Sequence, residues 1–169
     1  VPAFGTSALV IEVPAAEVLL DVARRVNPIL VRPGLPAHAT VLYPFLPAAE
    51  LTADVDAAVR AIAARVPVTD LRLTEVISAP GFVAMAVPEL QPVAEAAYAV
   101  WPEVQPYGGR FGPTPPVHLT VAIGGTEDEL TQVAAQTREA LPVSDRPEAV
   151  HLVVLTEQGW QLRLSAPLG

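Results

Sequence analysis

The sequence predicts an α+β protein built from two similar lobes related by a pseudo-two-fold, with antiparallel-rich sheets, helices on the outer faces and a central groove. Three observations carry this expectation. Strand-like and helix-like segments follow one another twice in the same order along 169 residues. Each half holds a His-x-Thr-Val run in a strand-like stretch after a proline, PAHATVL at 36–42 and PPVHLTV at 115–121. The spacings agree between halves: 74 residues for the first strand (8 to 82), 80 for the histidines (38 to 118) and 75 for the helix after them (52 to 127). The length suits a single domain, 1–169, with lobe halves near 1–80 and 81–169.

In the first half, SALVIEV at 7–13 reads as a strand. AAEVLLDVARRV at 15–26 reads as a helix, because Ala15, Leu19, Val22 and Val26 recur at helical spacing while Glu17, Asp21, Arg24 and Arg25 lie elsewhere. A loop containing Pro and Gly leads to a strand over 38–45. A helix over 51–66 follows, with Leu51, Val55, Val59, Ile62 and Val66 as its buried stripe, Thr52 as a cap and Pro67 at its end. TDLRLTEVIS at 69–78 alternates as one strand.

In the second half, FVAMAV at 82–87 is a strand and QPVAEAAYAVW at 91–101 a helix with Pro92 in its first turn. The second His-x-Thr strand spans 117–123. Thr126 and Glu129 form a capping box ahead of a helix over 127–141. Strands at 149–157 and 160–165 meet at a Gln158-Gly159 turn. The irregular stretch PEVQPYGGRFGPTPP at 102–116 has the length of a lid or binding loop.

Composition narrows the function. Hydrophobic residues form 51% of the chain, in runs too short to span a bilayer. The start lacks the pattern of a secretory signal. There is no cysteine, which excludes disulfides, thiolate chemistry and zinc–sulfur sites and fits a cytoplasmic setting. The net charge is -8 and all ten basic residues are Arg. Duplex nucleic acid is held largely through phosphate neutralisation, so this chain is not expected to bind it. A small anionic ligand or a single nucleic-acid end is compatible with a few Arg and polar donors. No cofactor or metal is called for, since His151 has no partner His or carboxylate at a familiar ligand spacing.

Successive strand side chains point to opposite faces. His38 and Thr40 therefore share one face and Ala39, Val41 and Tyr43 the other. His118 and Thr120 share a face opposite Leu119, Val121 and Ile123. The apolar sets are the core faces, so each His-Thr pair looks outward. Two such pairs facing across a groove suit a phosphate. One neutral imidazole takes a proton, the other, protonated, gives one, and the Thr hydroxyls bind the oxygens on which charge grows. Sequence leaves open which histidine is the base.

HATVLYPF at 38–45 and HLTVAIG at 118–124 resemble the paired H-x-[ST]-x motifs of the two-histidine phosphoesterase superfamily, in particular its 2′-5′ RNA ligase-like family. The resemblance implies two α+β lobes around a groove, no catalytic metal, and action on 2′-5′ phosphodiesters or on cyclic phosphates of nucleotides or RNA ends. It assigns His38 and His118 as catalytic and Thr40 and Thr120 as phosphate-binding. Arg110 in the long loop is a candidate to close over a phosphate. Alternation assigns Tyr43 and Phe45 to packing, and Tyr43 remains a candidate substrate contact through its place in the motif. Arg72 and Arg163 line the groove or sit on strand edges. Tyr107, Phe111 and Phe82 are candidates for base stacking, with core packing as the alternative. The motifs equally allow a module that binds a phosphorylated ligand without turnover, or a scaffold recruited to acid–base chemistry on a non-phosphate metabolite.

Overall fold

The computed structural model describes residues 2–169. The first half runs β1 (Ser7–Glu12), a 3-10 turn at Pro14–Ala16, α1 (Glu17–Val26), β2 (His38–Leu42), α2 (Ala53–Arg65), β3 (Leu71–Leu73) and β4 (Val76–Ala79). The second runs β5 (Phe82–Ala86), a 3-10 turn at Pro88–Leu90, α3 (Gln91–Val100), β6 (His118–Ile123), α4 (Glu127–Glu139), β7 (Val143–Asp145), β8 (Ala149–Thr156) and β9 (Gly159–Pro167). Seven strands form one sheet in the order β4-β5-β6-β2-β1-β8-β9, and β3 pairs with β7 in a separate two-stranded sheet. Every pairing is antiparallel.

The sheet reads the same outward from its centre. β6 and β2 adjoin through one pair, Ala39 with Leu119. On one side β5 lies against β6, with Met85 opposite Leu119 and Ala86 opposite His118. On the other, β1 lies against β2, with Ile11 opposite Ala39 and Glu12 opposite His38. Both pairings slip register at the same point, between Leu9 and Val10 in β1 and between Val83 and Ala84 in β5. β9 is the additional strand, at the far edge beyond β8.

One face of this sheet is apolar. Ile11, Ala39, Val41, Met85, Leu119, Val121 and Leu152 are all nearly inaccessible, and they join buried residues of all four helices in one core. α1 supplies Leu19, Leu20 and Ala23 and turns Glu17, Asp21 and Arg24 outward, where Arg24 pairs with both acids. Thr52 caps α2 by accepting from the N–H of Val55. Thr126 and Glu129 cap α4 reciprocally, as the sequence predicts. Among the described residues no helix is long and apolar enough to cross a membrane.

The structure corrects three expectations about the elements and adds one strand. The alternating run 69–78 is two strands, broken where Thr74 and Glu75 are both exposed, and its halves enter different sheets. β7 escapes the sequence reading, since three residues are too few to establish a period. β2 stops at Leu42, because Pro44 has no N–H to continue a ladder. Alternation therefore no longer governs Tyr43. Its ring lies with Ala8, Val10, Val153, Leu35 and Trp160 in a small cluster separate from the helix-packed core. Phe45 is buried in the main core, edge-on to Trp101 at 4.7 Å between centroids.

Candidate active site

Directly opposed residues in neighbouring strands point to the same side. The Ala39–Leu119 pair fixes the junction of the halves. In that antiparallel register Thr40 stands across from His118, and His38 across from Thr120. By register, each histidine thus stands across from the threonine of the other half. The rows extend outward through Val10 beside Thr40 and Glu12 beside His38, and through Ala86 beside His118 and Ala84 beside Thr120. Both histidines and Thr40 are half-buried, and Thr120 is exposed.

The chain entering each histidine is pinned in the same way twice. The buried N–H of Ala37 donates to the Glu17 carboxylate at 2.9 Å, and that of Val117 donates to Gln91 Oε1 at 2.9 Å. Glu17 and Gln91 are the first residues of α1 and α3, each after a 3-10 turn that begins with proline. The Ala37 and Val117 carbonyls accept from the N–H groups of Val13 and Val87. His38 Nδ1 lies 2.8 Å from the Pro36 carbonyl, and His118 Nδ1 lies 3.2 Å from that of Pro116. A carbonyl oxygen can only accept, so each Nδ1 carries a proton and, in the neutral ring, each Nε2 carries the lone pair. Sequence reading missed Glu17 and Gln91. The repeated Pro-x-x-[Glu/Gln] at 14–17 and 88–91, at the same 74-residue offset as the strands, is the signal that would have found them.

The two histidines are not equivalent electrically. Burial pushes the His38 imidazolium below the ordinary histidine range. The Pro36 carbonyl and Glu12 oppose this, while a charge on His118 adds to it. His118 instead has aromatic neighbours. Tyr107 lies 5.9 Å away with its ring tilted by 26°, and Phe82 lies 6.2 Å away at 30°. Tyr107 comes from the 102–116 loop, which crosses to the first half, where its N–H donates to the Tyr43 carbonyl at 2.6 Å. Burial pushes its phenol up to about 12, an effect that the Thr40 hydroxyl opposes.

The remaining candidates divide. Tyr43 borders the site through Tyr107, at 6.2 Å between rings, and also contacts Trp160. Arg110 is exposed on the same loop, its guanidinium 5.2 Å from the Phe111 ring centre. Arg72 lies on β3 in the separate sheet, outside the site. Arg163 is committed to α2, paired with Asp56 at 3.1 Å and donating to the Leu51 carbonyl. His151 lies on β8 beside Val10, which separates it from Thr40, and its Nδ1 has no hydrogen-bond partner in the protein. A cavity of about 450 Å³ lies against the loop, lined by Tyr98, Gln105, Pro106, Gly109 and neighbours, and none of the four His-Thr side chains lines it.

Two imidazoles whose Nδ1 atoms lie against backbone carbonyls thus stand with two threonine hydroxyls at the central strand junction of an α+β scaffold. The chain belongs to the 2′-5′ RNA ligase superfamily, whose family model matches residues 12–159. TT0787 of Thermus thermophilus is similar in fold, at TM-score 0.67 and 18% identity, over 96% of this chain and 97% of that one. Usb1 of Kluyveromyces marxianus matches at TM-score 0.58 and 14% identity over 98% and 99%. LigT of E. coli, in a crystal structure with NADP+, matches at TM-score 0.55 and 16% identity over 99% of both chains. No curated protein matches the sequence.

Proposed function

We propose that this protein is a phosphoesterase that opens a cyclic phosphodiester, or cleaves a 2′-5′ linkage, at a small nucleotide or an RNA end, using His38 and His118 without a metal. The observation that carries this reading is the crossed opposition of His38 with Thr120 and Thr40 with His118 at the junction of the halves. Membership of the superfamily supports it, and the NADP+ complex of LigT makes a nucleotide-sized ligand a reasonable first probe.

Burial favours neutral His38, which suits it to be the base. Its Nε2 takes a proton from water as the water oxygen bonds to phosphorus. The bond from phosphorus to the ester oxygen breaks, and His118, protonated at Nε2, gives that oxygen its proton. The site ends with the proton on the other histidine and resets by exchange with solvent. Thr40 and Thr120 donate to the non-bridging oxygens as charge concentrates there.

The test is hydrolysis of 2′,3′-cyclic nucleotides and 2′-5′ dinucleotides, with chelator present, by wild type, His38→Ala and His118→Ala. Loss of general acid–base help costs about 100- to 10,000-fold per group, and both variants should retain the wild-type melting curve. Turnover undiminished in both variants ends this reading. Tight binding of the cyclic nucleotide with no product would identify a binding module instead.

A further inference from the structure

The two halves frame their histidines alike. Each strand entrance is held by the first residue of a helix, Glu17 or Gln91. Each Nδ1 lies against the carbonyl of a proline two residues back. The flanking pairings slip register at matching points. One position breaks the match. Glu12 on β1 is the register partner of His38. At the 74-residue offset between the halves (12 to 86) its counterpart is Ala86, the register partner of His118 on β5. Both residues are half-buried. A carboxylate therefore flanks one histidine and a methyl group the other.

Glu12 has no counter-charge. The ion pairs among the described residues join Arg24, Arg146 and Arg163 to other acids. Of the side chains in the two rows that cross the junction, Glu12 alone carries a fixed charge. Directly opposed side chains stand about 4.5–5.5 Å apart at Cβ, which puts the carboxylate roughly 8 Å from a phosphorus bound at His38. At that separation, with an effective dielectric of about 40 for a site open to water, each unit of ligand charge is repelled by about fivefold in binding.

Resting on the phosphoesterase reading, we infer that Glu12 is a specificity-determining residue: its carboxylate sets the site for singly charged phosphodiesters and drives out doubly charged monoesters, including the product of opening a cyclic phosphate. The cyclic diester carries one negative charge. Water adds across one of its P–O bonds, and the resulting monoester gives its second acidic proton to solvent, with a pKa of about 6. Near neutral pH the product thus carries almost one charge more than the substrate. The carboxylate acts on both ligands, and about fivefold more strongly on the product. Turnover itself creates the repulsion that clears the site.

The test compares wild type, Glu12→Gln and Glu12→Asp. It reads KM for a 2′,3′-cyclic nucleotide, Ki for the matching 2′- and 3′-monophosphates, and Kd for all three by calorimetry. Glu12→Gln keeps the shape and removes the charge. It should bind the cyclic nucleotide about fivefold tighter and the monophosphates about 25-fold tighter, so the ratio of Ki to KM falls about fivefold. Its progress curves should bend early through product inhibition. Glu12→Asp retains the charge and should keep the wild-type ratio within about twofold. Glu12→Ala, which places in the first half the residue that the second half already has, guards against a folding defect in Glu12→Gln and should shift the ratio in the same direction. An unchanged ratio in the neutral variants overturns the inference, and a fall in kcat with the ratio intact would make Glu12 a partner of the His38 imidazolium instead. A ratio that shifts as far in Glu12→Asp as in Glu12→Gln also overturns it, since the charge is then not the cause. Should His38→Ala and His118→Ala retain full turnover, the catalytic reading fails while the calorimetric ratio still decides the role of Glu12. Wild type that binds none of the three nucleotides overturns both.

Discussion

Replacing Glu17 by Ala removes the acceptor for the Ala37 N–H. Ala37 is 1% exposed, and its N–H bonds to the carboxylate at 2.9 Å. A buried donor left unsatisfied costs about 1–3 kcal/mol. The same carboxylate pairs with Arg24, but both side chains are more than a third exposed, which adds at most about 0.5 kcal/mol. A loss of roughly 2 kcal/mol should lower Tm by about 4–8 °C in a domain of this size. Activity should fall further than stability explains, because Ala37 immediately precedes His38 and a 1 Å displacement of a reacting group can cost about 100-fold. The protein supplies its own control. In the second half a neutral amide, Gln91, does the same work for Val117. Glu17→Gln should therefore recover most of the stability and activity lost in Glu17→Ala. The assays are thermal melting by circular dichroism and cyclic-nucleotide turnover. If Glu17→Gln is as damaged as Glu17→Ala, or if Glu17→Ala melts with wild type, the pinning argument is wrong.

Further outcomes follow from the same geometry. His38 is shifted below its ordinary value of 6.5 by burial, so the limb of the pH–rate profile that reports the base should lie below pH 6.5, and His38→Ala should abolish that limb. The linkage to stability has the same origin. The unfolded chain protonates His38 first, so its contribution is present above about pH 6.5 and is lost as pH falls toward the folded-state pKa; wild type should lose Tm over that interval relative to His38→Gln, and parallel curves would contradict it. Gly125 has φ at +74°, and a β-carbon there would collide with Leu30 and approach Glu129 Oε2 at 2.7 Å. Gly125→Ala should therefore destabilise by more than about 1 kcal/mol in urea titration, since both conformation and space oppose it.

How far the sequence could be read depended on the range of the physics involved. The capping box at Thr126 and Glu129 spans three residues and was legible for that reason. The outward His-Thr faces follow from strand alternation, which is equally local. Tyr43 marks where that reasoning stops: beyond the end of β2 the alternation no longer holds, and the ring turned to the site side. The run at 69–78 failed similarly, because alternation does not reveal that Leu71 and Leu73 pair with β7 while Val76 pairs with β5. Arg163 could be placed on a strand but not assigned its partner, since Asp56 lies 107 residues away.

By itself the sequence determined the α+β class, the repeated order of elements and the two outward His-Thr pairs, because period and spacing are set by backbone geometry within a few residues. Only the tertiary structure decided that His38 faces Thr120 and Thr40 faces His118, and that Glu17 and Gln91 hold the strand entrances. It alone laid the Tyr107 ring along His118. Even the shortest-range of the pinning contacts, from Ala37 to Glu17, joins residues 20 apart in the chain. Such distances are closed by burying one continuous apolar face against four helices, which no local pattern encodes.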